Sequence, residues 1–419
     1  MSSRVNHIAV LTTLLLLAAC AKVPNAPVSG PVASDDPVEF GMGGQATKGQ
    51  TALTTLAALQ AVDFSVSAWY TRSGETFDVP GGTSVPYFQN HRFGNPGTLG
   101  TDPWRGVNRN TSTNALTANP VYYPLDGTLS FFCYAPYRAD AALVTPPVPD
   151  NRDIVLDTPP ADMATRHPDW LVGSPMIRVT PAAAAGTAAN QVDFLCSPPL
   201  LDKSRKDNSG QLTVDFTTHR LTKITFGFNY SGVLANGSHF VQVSAVEIQG
   251  VIASKYLYYT ETAPYVLSCA WSDAISPDDK TNPSAAMPLT NYLIDTATGG
   301  LDSGTGADLD PKDPGNSNHK MVSTEAGILY LLPQEIPLAA KLVISYFTGE
   351  QHGVPLAREI LTVPLRNANL TAWPMGKEVR YLITLNIPNQ QISGLTAQVF
   401  DWEDSGNVHP PQELLPHNP

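Results

Sequence analysis

The stretch Leu129-Ser-Phe-Phe-Cys-Tyr-Ala-Pro-Tyr137 decides the fold class of this chain. Leu129, Phe131, Cys133 and Ala135 fall on one parity, and Phe132 and Tyr134 on the other. A strand with one wet face alternates apolar and polar residues; a strand apolar on both parities is covered on both faces. The segment therefore reads as a central strand. Pro136 ends it, because proline brings no N–H to the ladder.

Working outward, Val62 to Tyr70 reads as a second strand, with Val62, Phe64, Val66 and Ala68 on one side. Before it, Thr51 to Gln60 places Leu53, Leu56 and Leu59 near one face of a short helix. Earlier still, Val38, Phe40 and Met42 alternate with small or polar residues as a half-buried first strand, followed by an exposed loop over Gly43 to Gln50. Between Tyr70 and Thr117 the Pro-Gly-Gly, Asn-Pro-Gly and Asp-Pro-Trp groups suggest loops. Ala161 to Arg166 fits one or two helical turns, and Asp169-Trp-Leu-Val-Gly173 a short strand. Leu212 to Phe228 looks like one long strand whose phase changes at His219-Arg220-Leu221, as a bulge would make it.

Further strands are expected at Val241 to Val251, Ile328 to Leu332, Leu342 to Phe347, Ile360 to Leu365, Val379 to Ile387 and Leu395 to Trp402. Long polar loops run from Ser272 to Thr290 and from Thr296 to Lys320. Strands do not alternate with helices, which disfavours a parallel α/β sheet. The 37 prolines and 31 glycines agree, since both punctuate turns. The expectation is an all-β chain of two tandem antiparallel β-sandwiches, spanning residues 38–205 and 206–419.

The N-terminus is a separate matter. Ile8 to Ala19 is apolar but shorter than the roughly 20 residues a spanning helix needs. It suits the h-region of a signal peptide. Its end, Leu17-Ala18-Ala19-Cys20, resembles the bacterial lipobox, where a cysteine thiol is acylated and the chain is cut just before it. Residues 1–19 thus read as a lipoprotein signal peptide and residues 20–37, rich in proline and small residues, as a linker. Lipidation at Cys20 would anchor the chain in a membrane.

The net charge of −12 argues against a nucleic-acid partner, whose phosphates it would repel. Beyond Cys20 the cysteines are Cys133, Cys196 and Cys269. Three thiols cannot all pair; mostly buried or free thiols are expected, with one disulfide open whose members the sequence does not choose. Gly41-Met-Gly-Gly-Gln-Ala46 matches a loose dinucleotide fingerprint, but no βαβ unit surrounds it. Asp308-Leu-Asp-Pro-Lys-Asp-Pro-Gly315 has Lys312 where a calcium loop needs an oxygen ligand. The sequence offers no His-Glu-x-x-His pair and no Gly-x-Ser-x-Gly elbow, and His219 reads as a packing or surface residue. No cofactor, metal or catalytic residue is expected, and an enzyme reading is disfavoured.

Several segments together resemble the fimbrillin family of Bacteroidetes, the subunits of type V pili. They are the lipobox at Cys20, Val38-Glu-Phe40 ahead of the Thr47-Lys48 loop, Phe64 to Tyr70, Leu129 to Tyr137, Asp169 to Gly173, Val214 to Ile224, Trp373 to Tyr381, and Ala397 to Trp402. The resemblance implies two transthyretin-like sandwiches and export as a lipoprotein. It also implies that a protease cuts the loop after the first strand, behind a basic residue. That strand then leaves, and a strand from a neighbouring subunit fills the groove, which is β-augmentation. Here the removable strand carries Val38, Phe40 and Met42. The basic residue in the loop is Lys48 where the family usually has arginine; the next arginine, Arg72, lies beyond another strand. The candidate donor strand of this chain carries Ile392, Leu395, Ala397 and Val399. The tail after Trp402 suits donation poorly, because Pro410, Pro411, Pro416 and Pro419 remove ladder donors.

The resemblance thus implies a cell-surface lipoprotein of a fimbrium, in a tip, accessory or anchor role. Its partners would be other fimbrillin subunits, a host or bacterial surface receptor, and the outer membrane through the lipid. The alternative is a surface lipoprotein that binds glycans without polymerising, with Trp104 stacking on sugar rings, although a tryptophan more often anchors a core or a loop. A secreted β-sandwich hydrolase is a third reading without paired catalytic motifs to support it.

Overall fold

A computed structural model describes residues 31–42, 56–77, 84–110, 112–139, 153–157, 159, 163–181, 191, 193–210, 212–231, 239–263, 266–272, 289–295, 308–309, 320–321, 327–350, 357–366, 370–386 and 391–402. Cys20 and Lys48 lie outside them. In the first half the elements are β1 (Ala33–Pro37), β2 (Glu39–Met42), α1 (Leu56–Val62), β3 (Phe64–Thr71), β4 (Val85–Gly94), β5 (Trp104–Arg109), β6 (Leu116–Ala118), β7 (Tyr122–Pro124), β8 (Thr128–Ala135), β9 (Ile154–Asp157), α2 (Met163–Arg166), β10 (Met176–Val179), β11 (Leu195–Cys196), β12 (Leu200–Lys203) and β13 (Leu212–Val214). In the second half they are β14 (Thr222–Ser231), β15 (His239–Ile252), β16 (Lys255–Glu261), β17 (Leu267–Ser272), β18 (Leu289–Asp295), β19 (Asp308–Leu309), β20 (Lys320–Met321), β21 (Leu329–Leu331), β22 (Gln334–Glu335), β23 (Lys341–Glu350), β24 (Ala357–Pro364), β25 (Ala372–Trp373), β26 (Lys377–Asn386) and β27 (Gln391–Asp401). The chain is all-β, as its sequence leads one to expect.

The both-parity run becomes β8, and it is covered on both faces. Leu129, Phe131, Cys133 and Ala135 enter one core, and Phe132 and Tyr134 enter another. Its neighbour β3 is buried at every position for the same reason. The large sheet runs β11-β8-β3-β4-β5-β2-β13. It curls on itself, since Phe40 on β2 reaches Phe131 on β8 at 5.2 Å although β3, β4 and β5 lie between them along the sheet. The opposite face packs Trp69, Phe132 and Tyr134 onto a four-stranded antiparallel sheet, β17-β16-β10-β9, through Leu156, Ile177, Leu257 and Tyr259.

The second half is a sandwich of two five-stranded sheets. One runs β20-β14-β26-β27 with β21 beside β14; the other runs β18-β15-β23-β24 with β19 beside β15. Ile224, Phe226 and Phe228 of β14 and Val379, Tyr381 and Ile383 of β26 meet Val243, Val246 and Ile248 of β15 and Leu342, Ile344 and Tyr346 of β23 in one core. β14 and β26 pair in parallel, the other long pairs antiparallel.

Several local expectations are corrected. Leu212 to Phe228 is not one bulged strand: β13 ends at Val214 and joins the curled sheet, while β14 begins at Thr222 in the other sandwich. Asp169 to Gly173 forms a turn holding one isolated bridge, Trp170 to Thr260, because Gly173 takes a positive φ of 87°. Helix α1 extends to Val62, and the chain enters β3 through Asp63 at φ 58°. The expected loop region before Thr117 contains β4 and β5, and Ala33–Pro37, within the expected linker, pairs with β7. The β16–β17 hairpin also forms where no strand was expected, and it pairs with β10 from across the expected 205/206 division.

His219 is buried at the junction of the halves. Its Nδ1 lies 2.7 Å from Asp193 Oδ2, and its ring stacks on Trp402 at 4.3 Å and 3°. Tyr330 stacks against Trp402 in turn. That is the packing role the sequence suggests for this histidine.

Glu378 of β26 is the buried charge in the second sandwich. Lys223 Nζ lies 3.1 Å from its Oε2, Arg380 Nη2 lies 2.9 Å from its Oε1, and Thr225 Oγ1 donates to Oε1 at 2.9 Å. Burial pushes its pKa up, but the Lys223 and Arg380 charges and hydrogen bonds outweigh it and hold the carboxyl below its ordinary value. A depressed folded pKa contributes stability that is fully present above the unfolded value of about 4.3 and lost as pH falls through the folded value. Thermal melts from neutral to acid pH should therefore show a destabilising limb below about pH 4.3 that is shallower in Glu378→Gln.

Candidate functional site

The candidate site is the seat of the first strand. β1 leads in along β7, with Ala33 opposite Pro124 and Pro37 opposite Tyr122. Leu125 N donates to Val32 O, and Val38 N to Val121 O, each at 2.8 Å. β2 then lies between two neighbours. It is antiparallel to β5, with Glu39 opposite Arg105 and Phe40 opposite Trp104. It is parallel to β13, with Leu212 opposite Phe40, Thr213 opposite Gly41 and Val214 opposite Met42. β13 stands at the end of the sheet order, so β2 is what joins it to the sheet.

The side chains follow the period of two. Val38 and Phe40 are fully buried, and Met42 is half-buried against the same core. The Phe40 ring meets Phe93 and Phe131 edge-on at 5.2 Å each, and Phe64 at 6.2 Å. Trp104 stands 5.4 Å from Phe64 in the same cluster. Taken without β2, this seat is a groove floored by aromatic rings and flanked by the backbone of β5 and β13. Such a groove suits a strand with apolar residues at alternate positions and unpaired main-chain groups on both sides.

Beside this seat, a polar lock joins α1, β3, β4 and β5. Asp63 is buried. It accepts from Arg109 Nε at 2.7 Å and Arg109 Nη2 at 2.5 Å, and Arg92 Nε lies 3.5 Å away. Arg109 Nη2 also donates to Gln60 O at the end of α1. Gly94 is required here, because a Cβ would come 2.7 Å from Asp63 Oδ1 and 2.9 Å from Val107. Arg109 also lines a cleft of about 370 Å³ with Gln60, Asn95 and Asn114, but its hydrogen-bonding groups are engaged within the protein.

The sequence-selected residues fall at separate places. Val38, Phe40 and Met42 converge on the aromatic core. Arg72 is exposed just after β3, and its carbonyl accepts from Glu75 N at 3.1 Å. Ile392, Leu395, Ala397 and Val399 lie on β27, which pairs with β26 from Gln391 to Asp401. Ile392 and Leu395 pack on the second core, Ala397 is buried in it, and Val399 is 43% exposed. Trp104 takes the core role that its residue type favours and is no sugar platform: it is 2% exposed, and its ring belongs to the core. None of the six tryptophans is exposed. Among the described residues no three metal-ligating side chains converge, and no helix is long and apolar enough to cross a membrane. Sequence reasoning missed Asp63 and Arg109; the available signal was an aspartate between a helix and a strand.

The fold and this strand seat define a class: an all-β chain of packed sheets whose first short strand completes a core from between two later strands. A family model described as fimbrillin-like matches residues 88–402, and the chain belongs to that family. The family consists of structural fimbrial proteins rather than enzymes. Among solved structures, a fimbrial protein from Bacteroides vulgatus is similar at 18% identity and a TM-score of 0.52, covering 87% of this chain and 99% of that one. At that identity the likeness concerns the fold alone. A putative cell adhesion protein from Bacteroides uniformis matches at 12% identity, with TM-score 0.41 and coverage of 90% and 100%. A fimbrilin from Porphyromonas gingivalis matches at 10% identity, with TM-score 0.33 and coverage of 88% and 98%. No curated protein matches the sequence.

Proposed function

We propose that this chain is a cell-surface fimbrial subunit that assembles by exchanging its first strand for one from a neighbouring subunit. The observation that carries the reading is Phe40: a fully buried aromatic anchor on a four-residue strand held from both sides. The segment between Met42 and α1 contains Lys48, which is the favoured cleavage point. Cutting at Arg72 instead would take β3, a strand buried along its whole length, and with it both cores.

In this reading Cys20 carries the lipid that brings the precursor to the outer membrane, and cleavage at Lys48 releases lipid and strand together. The chain accepts a strand but does not supply one from β27, whose apolar face is committed to its own sandwich. It therefore serves at an end of the fibre, in a tip or accessory position. We divide the body into the two units anticipated at 38–205 and 206–419, with β13 and the β16–β17 hairpin reaching back from the second to the first. Burial of Trp104 leaves the glycan-binding alternative without an observation that favours it.

The test is the N-terminus of the protein recovered from assembled fimbriae. Mass spectrometry is expected to find a chain beginning at Gly49, and Lys48→Ala is expected to leave a lipidated chain absent from fibres. A fibre-borne chain that still begins at lipidated Cys20 would refute strand exchange and make the protein an anchor.

A further inference from the structure

We propose that Cys196 and Cys269 are a disulfide site that staples β11 of the curled sheet to β17 of the four-stranded sheet. The two Sγ atoms lie 3.0 Å apart, inside the van der Waals separation of two sulfurs and one short movement from a bond of about 2.05 Å. Both thiols are buried in the same core, beside Tyr259 and Phe132. Cys196 pairs with Tyr134 of β8, and Cys269 with Tyr259 of β16, so each comes from a different sheet and meets the other across the layer. Sequence alone left three candidate pairs; all three thiols are free and buried in the structure, and this is the pair whose sulfurs the fold brings together.

Cys133 is excluded by parity. It sits on the opposite face of β8, in the aromatic core with Phe131 and Phe40. Burial pushes the Cys133 thiol well above its ordinary value, as it does the Cys269 thiol, so it is parity and not thiolate character that separates Cys133 from the pair. Cys196 is held in place by its backbone: Arg220 donates to Cys196 O through Nη2 at 2.9 Å and through Nε at 3.3 Å. Arg220 O in turn accepts from Trp271 Nε1 at 2.8 Å, tying β17 to the same point.

The chemistry requires a disulfide oxidant, such as glutathione disulfide. One cysteine thiolate attacks the oxidant, forming a mixed disulfide and releasing one glutathione thiolate. The second cysteine thiolate then attacks the protein sulfur, forming the Cys196–Cys269 bond and releasing the second glutathione. Two thiol protons leave, and two electrons pass to the oxidant. Because the folded pair is buried, the reaction belongs to folding, before the β16–β17 hairpin seals the core. The bond closes a loop with a sequence separation of 73, long enough to restrict the unfolded chain strongly. It lies on the face of the sheet opposite Phe40. On the strand-exchange reading, it holds the second core closed while the seat of β2 is empty.

The experiment uses the uncut full chain, refolded from denaturant in a glutathione redox buffer, so that its outcome is independent of processing. Free thiols are blocked and the digest is mapped by mass spectrometry. The expected result is one cross-linked peptide pair containing Cys196 and Cys269, with Cys133 alkylated. The cross-link should persist in Cys133→Ser, and reduction should lower Tm by about 10 °C. Alkylation of both Cys196 and Cys269, or a cross-link that joins either of them to Cys20 or Cys133, would overturn the proposal. So would an unchanged Tm on reduction.

Discussion

Phe40→Ala is expected to destabilise the folded chain by about 3–5 kcal/mol, the cost of deleting a buried phenylalanine that its surroundings cannot collapse upon. Phe64, Phe93 and Phe131 surround the ring; Phe64 and Phe93 face each other in the β3–β4 pairing, and Phe131 is held in the β3–β8 pairing. They cannot follow the lost side chain without moving β3, β4 or β8. Typical stabilities of about 5–15 kcal/mol make this a large fraction of the total. Denaturant unfolding should show a lower midpoint with little change in slope. Met42→Ala should cost much less, because Met42 is only half-buried. That contrast separates loss of an anchor from general damage to the strand.

Asp63→Ala is expected to cost about 3–5 kcal/mol by a different route. It leaves the Arg109 guanidinium, 11% exposed, without its carboxylate partner in a poorly hydrated place. Alanine is also disfavoured at the positive φ of 58°. Asp63→Asn separates the two causes, since asparagine tolerates that conformation and keeps one acceptor. It should cost less than alanine but more than a neutral exchange. Thermal melts of the two variants decide the order. Equal melting temperatures for wild type and Asp63→Asn would show that the charge contributes little.

The fold was most legible where burial dictates composition. β8 betrays its central place because both faces must be apolar, and β15, β23 and β26 because one face must be. β4 was not legible, because its middle reads Gln89-Asn90-His91-Arg92. Asn90 is nonetheless buried, accepting from Ser65 Oγ at 2.7 Å and Tyr134 Oη at 2.8 Å and donating to Arg138 O at 2.8 Å. A satisfied buried asparagine looks like a loop residue to any reading by hydropathy. β13 and β14 were fused because hydrophobic period carries no information on which sheet a strand joins. The same limit hid the β16–β17 hairpin, whose tyrosines leave the period weak.

The strand seat was half legible. Alternation at Val38, Phe40 and Met42 announced a half-buried strand, and the aromatic residues at 64, 93 and 131 were visible as apolar. That they meet Phe40 depends on the curl of the sheet, and β2 is held in its place there by β13, which returns from residue 212. A pairing between residues so distant in sequence leaves no local mark.

The most direct measurement of the central idea is refilling the seat. A chain beginning at Gly49, and so lacking β1 and β2, is titrated with a synthetic peptide of residues 32–42 while Tm is followed. The strand-exchange account predicts that the shortened chain is less stable, that the peptide restores Tm in a saturable way, and that a Phe40→Ala peptide binds at least about a hundredfold more weakly. A shortened chain as stable as the whole protein, indifferent to either peptide, would contradict it.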